Sequence, residues 1–474
     1  MRSIIEENNE SVLRFVFGDN SNGKTAEERA RSSDRKFVRS QAQITVATPR
    51  ATGRVLTASE ALNVFGFEVL FQICSNGSFP LLSTSVEPAK TLRDRREQFN
   101  LPIERLAKAV GISSDRLETI ESPGHVSPVR DLERVAQALA LDERILGYQP
   151  EARGDKALGV RLRELSDTKD STHFSISSVI GLSEAAWVIE RQLALSEQLG
   201  YEVFSRSEFG FNPDSNYAYP TYRQGYRLAQ RARQVLELGD DTPVESLRAL
   251  VEERLGLPLI QQELEERFAG ATLSNGNCRG IVINEKGKNQ NVWVRRMTLC
   301  HELGHLLWDP DQRLNKLIVD DYNIVEGIGV TQRDVVEIRA NAFAISFLAP
   351  PSAIKEIAFR QVDHETILSD IVETYGISAT AAKWHAGNVS GIDFSSVPTR
   401  NLPSPSDDWI ARENLTVDYF PIQSTPISRR GQFALLVVKA LRSNLISNDT
   451  ASMYLRCSKE ESEQSSEVIL NLLQ

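Results

Sequence analysis

RRMTLCHELGHLLWDP, residues 295–310, decides how this chain is read. His301 and His305 stand four apart, so on a helix they lie on one face about one turn apart. Two imidazoles so placed can ligate one tetrahedral zinc ion. Glu302 follows the first histidine and flanks the metal from slightly around the helix. That is the place for a general base, able to accept a proton from an attacking water. Asp309-Pro310 ends the helix, since proline cannot continue it.

A catalytic zinc needs a third protein ligand and an open fourth position. Glu337 is the candidate. It begins a strong helical pattern over 334–348 that ends before Pro350-Pro351. Ala340, Asn341 and Ala344 follow it, and with Gly304 they would let two helices approach closely. Asn341, one turn after Glu337, suits a hydrogen-bonding partner for a ligand. Glu326, Asp320 and Asp321 compete with Glu337 for the ligand role.

Outward from this centre, RGIVIN at 279–284 and Asn291–Val294 read as two strands joined by the polar loop EKGKNQ, with an edge suited to an extended peptide. Tyr222–Leu238 and Pro243–Leu255 read as helices, the second ended by Gly256. Residues 363–387 add further helices, and Pro403–Pro426 reads as a linker before a last helical piece. His364, His385, Tyr322 and Tyr375 are read as packed or solvated side chains rather than oxyanion donors.

These motifs resemble the ImmA/IrrE metallopeptidases over about 225–387. The likeness rests on Gly270 with GIVIN at 280–284, RRMTLCHELGHLL at 295–307 and EIRANAFAISFLAP at 337–350. Cys300 stands where the family more often has alanine. The resemblance implies zinc held by His301, His305 and Glu337. It also implies a gluzincin-like core of packed helices on a small sheet. ALRSNLISNDTASMYLRCSKEE at 440–461 is similar to that family's C-terminal helical tail.

A second pattern lies at 92–147. Ile103–Val110 reads as a short helix, Gly111 ends it, and Ser113 caps another through Ile120. That is helix-turn-helix spacing, and the segment resembles the Xre-type repressor domain. Arg93, Arg95, Arg96 and Arg105 are the candidates for phosphate contacts, with Ser113, Ser114 and Arg116 on the recognition helix. Asp115, Glu118 and Glu121 repel phosphate, so the competing reading is a protein-docking module. Residues 1–55 are polar, rich in Arg and Ser, and read as largely flexible.

The bulk properties bound the rest. The chain has 474 residues, a formal net charge of −10 and 25% charged residues, so several domains are expected and any DNA contact must be local. The first twenty residues do not read as a signal peptide, and the longest apolar run, Ala61–Cys74, contains Glu68 and is too short for a bilayer. Cys74, Cys278, Cys300 and Cys457 are scattered, which suits reduced thiols in the cytoplasm.

The expected fold is α+β, a mainly helical multidomain chain. Its expected parts are an N-terminal region (1–85), an Xre-like domain (86–150), a connecting region (151–220), the zinc peptidase core (221–390) and a C-terminal helical region (391–474). Two functions fit. One is a site-specific zinc endopeptidase that cleaves a regulatory protein, such as a repressor, in a stress-response or mobile-element circuit. The other is a DNA-binding transcription regulator whose zinc domain senses a ligand or partner without obligatory cleavage. Duplex DNA and a protein substrate are the expected partners. No membrane partner is expected, and the sequence sets no oligomeric state.

Overall fold

The computed structural model describes residues 9–148, 175–202, 204–210, 221–266, 268–275, 278–309, 318–321, 335–360, 362–414 and 420–472. Tyr322 and Glu326 lie outside them. The fold is α+β and mainly helical. Contacts divide the chain into two compact units, Met1–Tyr201 with Tyr419–Gln474, and Glu202–Asp418.

The first unit corrects the expectation of a flexible N-terminus. Helix Glu10–Phe17 is capped by the Asn9 side chain, and helix Ala26–Ser32 by a reciprocal Thr25/Glu28 capping box. Strands β1 (Lys36–Arg39), β2 (Gln43–Val46), β3 (Arg54–Thr57) and β4 (Ser78–Pro80) form an antiparallel sheet in the order β3-β1-β2-β4. Leu13, Phe17, Phe37 and Ile44 bury their side chains with the helix Ala58–Asn76, which contains the Ala61–Cys74 run and breaks at Gly66 (φ 79°). Three arginines of this stretch, Arg29, Arg39 and Arg54, are internal, while Arg31 and Arg50 are exposed. Arg39 and Arg54 both bind the buried carboxylate of Glu133, and Arg54 also donates to the Asp449 carbonyl at 2.9 Å. Charge neutralised inside the fold left no hydrophobic pattern to read.

The helix-turn-helix segment sits in this unit as helices Ala89–Gln98, Ile103–Val110, Ser114–Ile120 and Val129–Ala138. Gly111 takes the left-handed conformation between the second and third, and Ser113 caps the third. Part of the expected connecting region is core. Helix Ile176–Gln198 buries Trp187, whose indole donates to Glu143 at 2.6 Å. The C-terminal helices Gln432–Arg442, Asn448–Leu455 and Lys459–Asn471 complete the unit, anchored by Arg429 on Glu184 (2.9 Å) and Gln137 (3.0 Å).

In the second unit, β5 (Leu259–Gln262), β6 (Phe268–Asn275), β7 (Cys278–Asn284) and β8 (Ile318–Asp321) pair in the order β5-β7-β6-β8. β5 runs parallel to β7, and the other pairs are antiparallel. The hairpin expected between 279–284 and 291–294 is not formed. β7 pairs with β6 instead, and Gly287–Gln290 is a 3₁₀ turn. Asn291 accepts from the N–H groups of Trp293 and Val294 and starts the long helix Val292–Trp308. A capping side chain there outweighed the strand propensity of valine and tryptophan. Pro243–Leu255 likewise holds only Leu247–Ala249 and a π turn, Leu250–Arg254, in place of a regular helix.

Helix Val292–Trp308 is buried on nearly all sides, as expected for a central core helix. The sheet covers one side and helix Val335–Leu348 another. A Cβ on Gly304 would meet the Phe343 ring at 2.8 Å, so glycine there sets the approach of these two helices. Gly225, on helix Thr221–Val235, does the same against the backbone of Arg339 and Phe343. The unit does not end near 390. Helix Asp407–Asn414 packs back on it through Trp409 and Glu413. Among the described residues no helix is long and apolar enough to cross a membrane.

Candidate metal centre

His301 and His305 occupy successive turns of the central helix, both fully buried. Their Nε2 atoms face each other at 3.0 Å. Oε2 of Glu337, from helix Val335–Leu348, completes a triangle at 3.2 Å from His301 Nε2 and 3.3 Å from His305 Nε2. Asp320 and Asp321, which competed with Glu337, lie in β8.

The other ring nitrogens decide what the triangle can hold. Nδ1 of His301 meets the Asn341 side-chain oxygen at 2.8 Å, and Nδ1 of His305 meets Asp309 Oδ2 at 2.9 Å. Both partners are acceptors, so each Nδ1 carries the proton and each Nε2 presents a lone pair. Three lone-pair atoms therefore converge, an arrangement suited to a cation held within it. Tetrahedral zinc, with ligands at about 2.0–2.1 Å, separates them by about 3.3 Å. The observed edges fit that spacing, and the donor set is suited to a metal ion.

Glu302 is fully buried on the same helix. The Thr272 hydroxyl, on β6, donates to its Oε2. Gly270, two residues earlier on that strand, leaves room beside it: a Cβ there would sit 3.4 Å from Glu302 Cγ and 3.0 Å from the Val282 carbonyl. Gly270 and Thr272 on β6, backed by Val282 on β7, thus line this carboxylate.

Asp309 was read only as a helix stop. It is fully buried, binds His305 through Oδ2 and Arg339 through Oδ1, and accepts from Arg206 on its main-chain oxygen at 2.6 Å. Its place four residues after His305 was the available signal, because a C-terminal side chain can reach back one turn. Cys300 is sealed in the core, and burial pushes its thiol pKa up. His385 is packed: it donates from Nε2 to the Ala349 carbonyl at 2.8 Å, Tyr226 donates to its Nδ1, and burial lowers its pKa to about 4. Tyr375 donates to the Asp241 carbonyl, and His364 lies exposed against Phe394.

In the helix-turn-helix the candidates separate. Arg96 is held by Glu121 through two bonds of 2.8 Å and by the Leu101 carbonyl, and Arg95 is buried against Phe99. Arg116 pairs with Asp131 at 3.0 Å, and Ser113 accepts from the Arg116 N–H as a cap. Arg95 is thus turned into the fold and Arg96 is engaged with Glu121, whereas Ser113 is exposed and Arg116 half-buried beside these bonds. Arg105 is exposed, and Arg93 and Ser114 are partly so.

Comparison with known families agrees with both motifs. No curated protein matches the chain. Residues 270–384 match the IrrE N-terminal-like domain, Peptidase M78, and residues 89–144 match a helix-turn-helix domain. The chain carries an ImmA/IrrE-type peptidase domain preceded by a helix-turn-helix domain.

Proposed function

We propose that this protein is a zinc-dependent endopeptidase that cleaves a regulatory protein, such as a repressor, in a stress-response or mobile-element circuit in the cytoplasm. The convergence of the three lone-pair atoms of His301, His305 and Glu337 carries this reading. A zinc ion there would acidify water and polarise the scissile carbonyl. Glu302 accepts the proton of the attacking water and returns it to the leaving amine. Thr272 fixes the carboxylate rotamer for that transfer. The peptide lies extended along the edge of β8 that is unpaired among the described residues. That strand pairs with β6, which bears Gly270 and Thr272. This edge takes the place of the expected one at 279–294, because β7 is an inner strand.

The helix-turn-helix match favours a second reading, a DNA-binding regulator that senses without cutting. Glu302→Gln separates the two. It removes the proton acceptor and keeps the shape and the zinc ligands. Under the peptidase reading, new N-termini mapped by mass spectrometry in cells with wild type should fall by about 10²–10⁴ in cells with the variant. A full biological response from zinc-loaded Glu302→Gln, with no lost cleavage product, would leave the regulator reading standing.

A further inference from the structure

We infer that Asp309 is a positioning residue. Through Arg339 it ties the orientation of His305 to the helix that delivers Glu337. The inference rests on the metal-site reading above and deepens it.

Asp309 closes the central helix, its N–H bonded to the His305 carbonyl at 2.9 Å. The carboxylate then turns back. Oδ2 fixes His305 Nδ1 at 2.9 Å, and Oδ1 meets the guanidinium of Arg339. Asp309 and His305 have no exposed surface, and Arg339 is 3% exposed. A carboxylate this far from water needs a partner that neutralises it. Arg339 is one such partner, and it stands two residues after Glu337 on helix Val335–Leu348.

One helix therefore sets all three ligand positions. It supplies Glu337 directly, orients His301 through Asn341, and orients His305 through Arg339 and Asp309. The His305 ring turns away from the triangle only if Asp309 moves, and Asp309 is clamped to this helix. The converged triangle and the seating of helix 335–348 are one event. A plain helix-stop role for Asp309 requires no effect on the metal. Coupling requires one, even from Arg339, which is not a vertex of the triangle.

The test measures zinc affinity of the full chain by competition with a chelating dye. Asp309→Asn keeps the shape and loses the charge, and Arg339→Met keeps the length and loses the charge. Each should weaken zinc by about 10–100-fold, the usual effect of removing a ligand's outer partner. The double variant should be no weaker than the poorer single, because both break one link. Arg339→Lys should recover most of the loss. In ¹⁵N-histidine spectra of the zinc-loaded protein, Asp309→Asn should move the His305 signals and leave His385 in place. If Asp309→Asn does not fold, the Arg339 variants carry the same test. Affinities equal to wild type in the single variants, or losses that add in the double, overturn the inference and leave the site reading intact. A wild-type chain that takes up no zinc, or a His301→Ala chain that still does, overturns both.

Discussion

Arg296 and Glu413 stand 117 residues apart and form an ion pair in the core of the peptidase unit. Arg296 also donates to the carbonyls of Val244 and Gly376 and stacks on Trp409, centroid 4.5 Å away. Glu413 in turn accepts from the N–H groups of Leu247 and Arg248. Breaking a buried pair by removing one partner costs about 3–5 kcal/mol, since the other charge is left without compensation. Arg296→Met and Glu413→Gln should each lower the urea midpoint of this unit, and limited proteolysis should then cut within 391–414. Wild-type midpoints in both variants would show the 391–414 segment to be dispensable.

Removing any vertex of the metal triangle should empty it. His301→Ala, His305→Ala and Glu337→Ala should lose zinc by elemental analysis after dialysis. Zinc should raise the unfolding temperature of wild type but not of the variants, because a ligand stabilises only the state that binds it. A Glu337→Ala chain that keeps zinc would place the third ligand elsewhere.

Glu60 makes the other unit sensitive to pH. Its carboxyl is buried, accepts from the Ser447 N–H at 3.1 Å, and is bonded by Thr450. Burial raises its pKa from 4.5 to about 7, with the Thr450 bond and Arg54 opposing. A carboxyl whose folded pKa lies above its unfolded value contributes stability that is complete below the unfolded value. That contribution is lost as pH rises through the folded one. The window is therefore about pH 4.5 to 7. Glu60→Gln should match wild type near pH 5 and exceed it by a few kcal/mol at pH 8, because each tenfold change in proton affinity is worth about 1.4 kcal/mol. Denaturant titrations of both proteins across this range check the sign. A gap that shrinks with rising pH would contradict it.

DNA contact, if made by this helix-turn-helix, rests on Arg93 and Arg105. Replacing both by alanine should weaken duplex binding alike for all sequences and reduce the salt slope by up to about two. Arg96→Ala should instead lower thermal stability, because it strips Glu121 of its partner. Fluorescence anisotropy of the full chain against salt, with thermal unfolding beside it, separates these effects. A folded chain that binds no duplex at low salt assigns the domain to protein docking.

The sequence by itself determined the candidate ligand face, the end of its helix at Asp309 and the turn of the helix-turn-helix. Each of these is local. His301 and His305 share a face because a helix repeats every 3.6 residues, and Gly111 and Ser113 act within one turn of where they stand. Glu337 was also legible, because the small residues around it marked a close helix contact. Tertiary structure alone decided which charges are structural. Arg39, Arg54 and Arg96 read as solvent-facing or DNA-facing, and Arg296 had no reading of its own, yet each ends on a carboxylate 25 or more residues away. For Asp309 the i, i+4 spacing carried the contact with His305, and only the fold decided its tie to Arg339. A buried ion pair depends on a partner brought near by the whole fold, and its low-dielectric surroundings decide its strength. No periodicity along the chain records that.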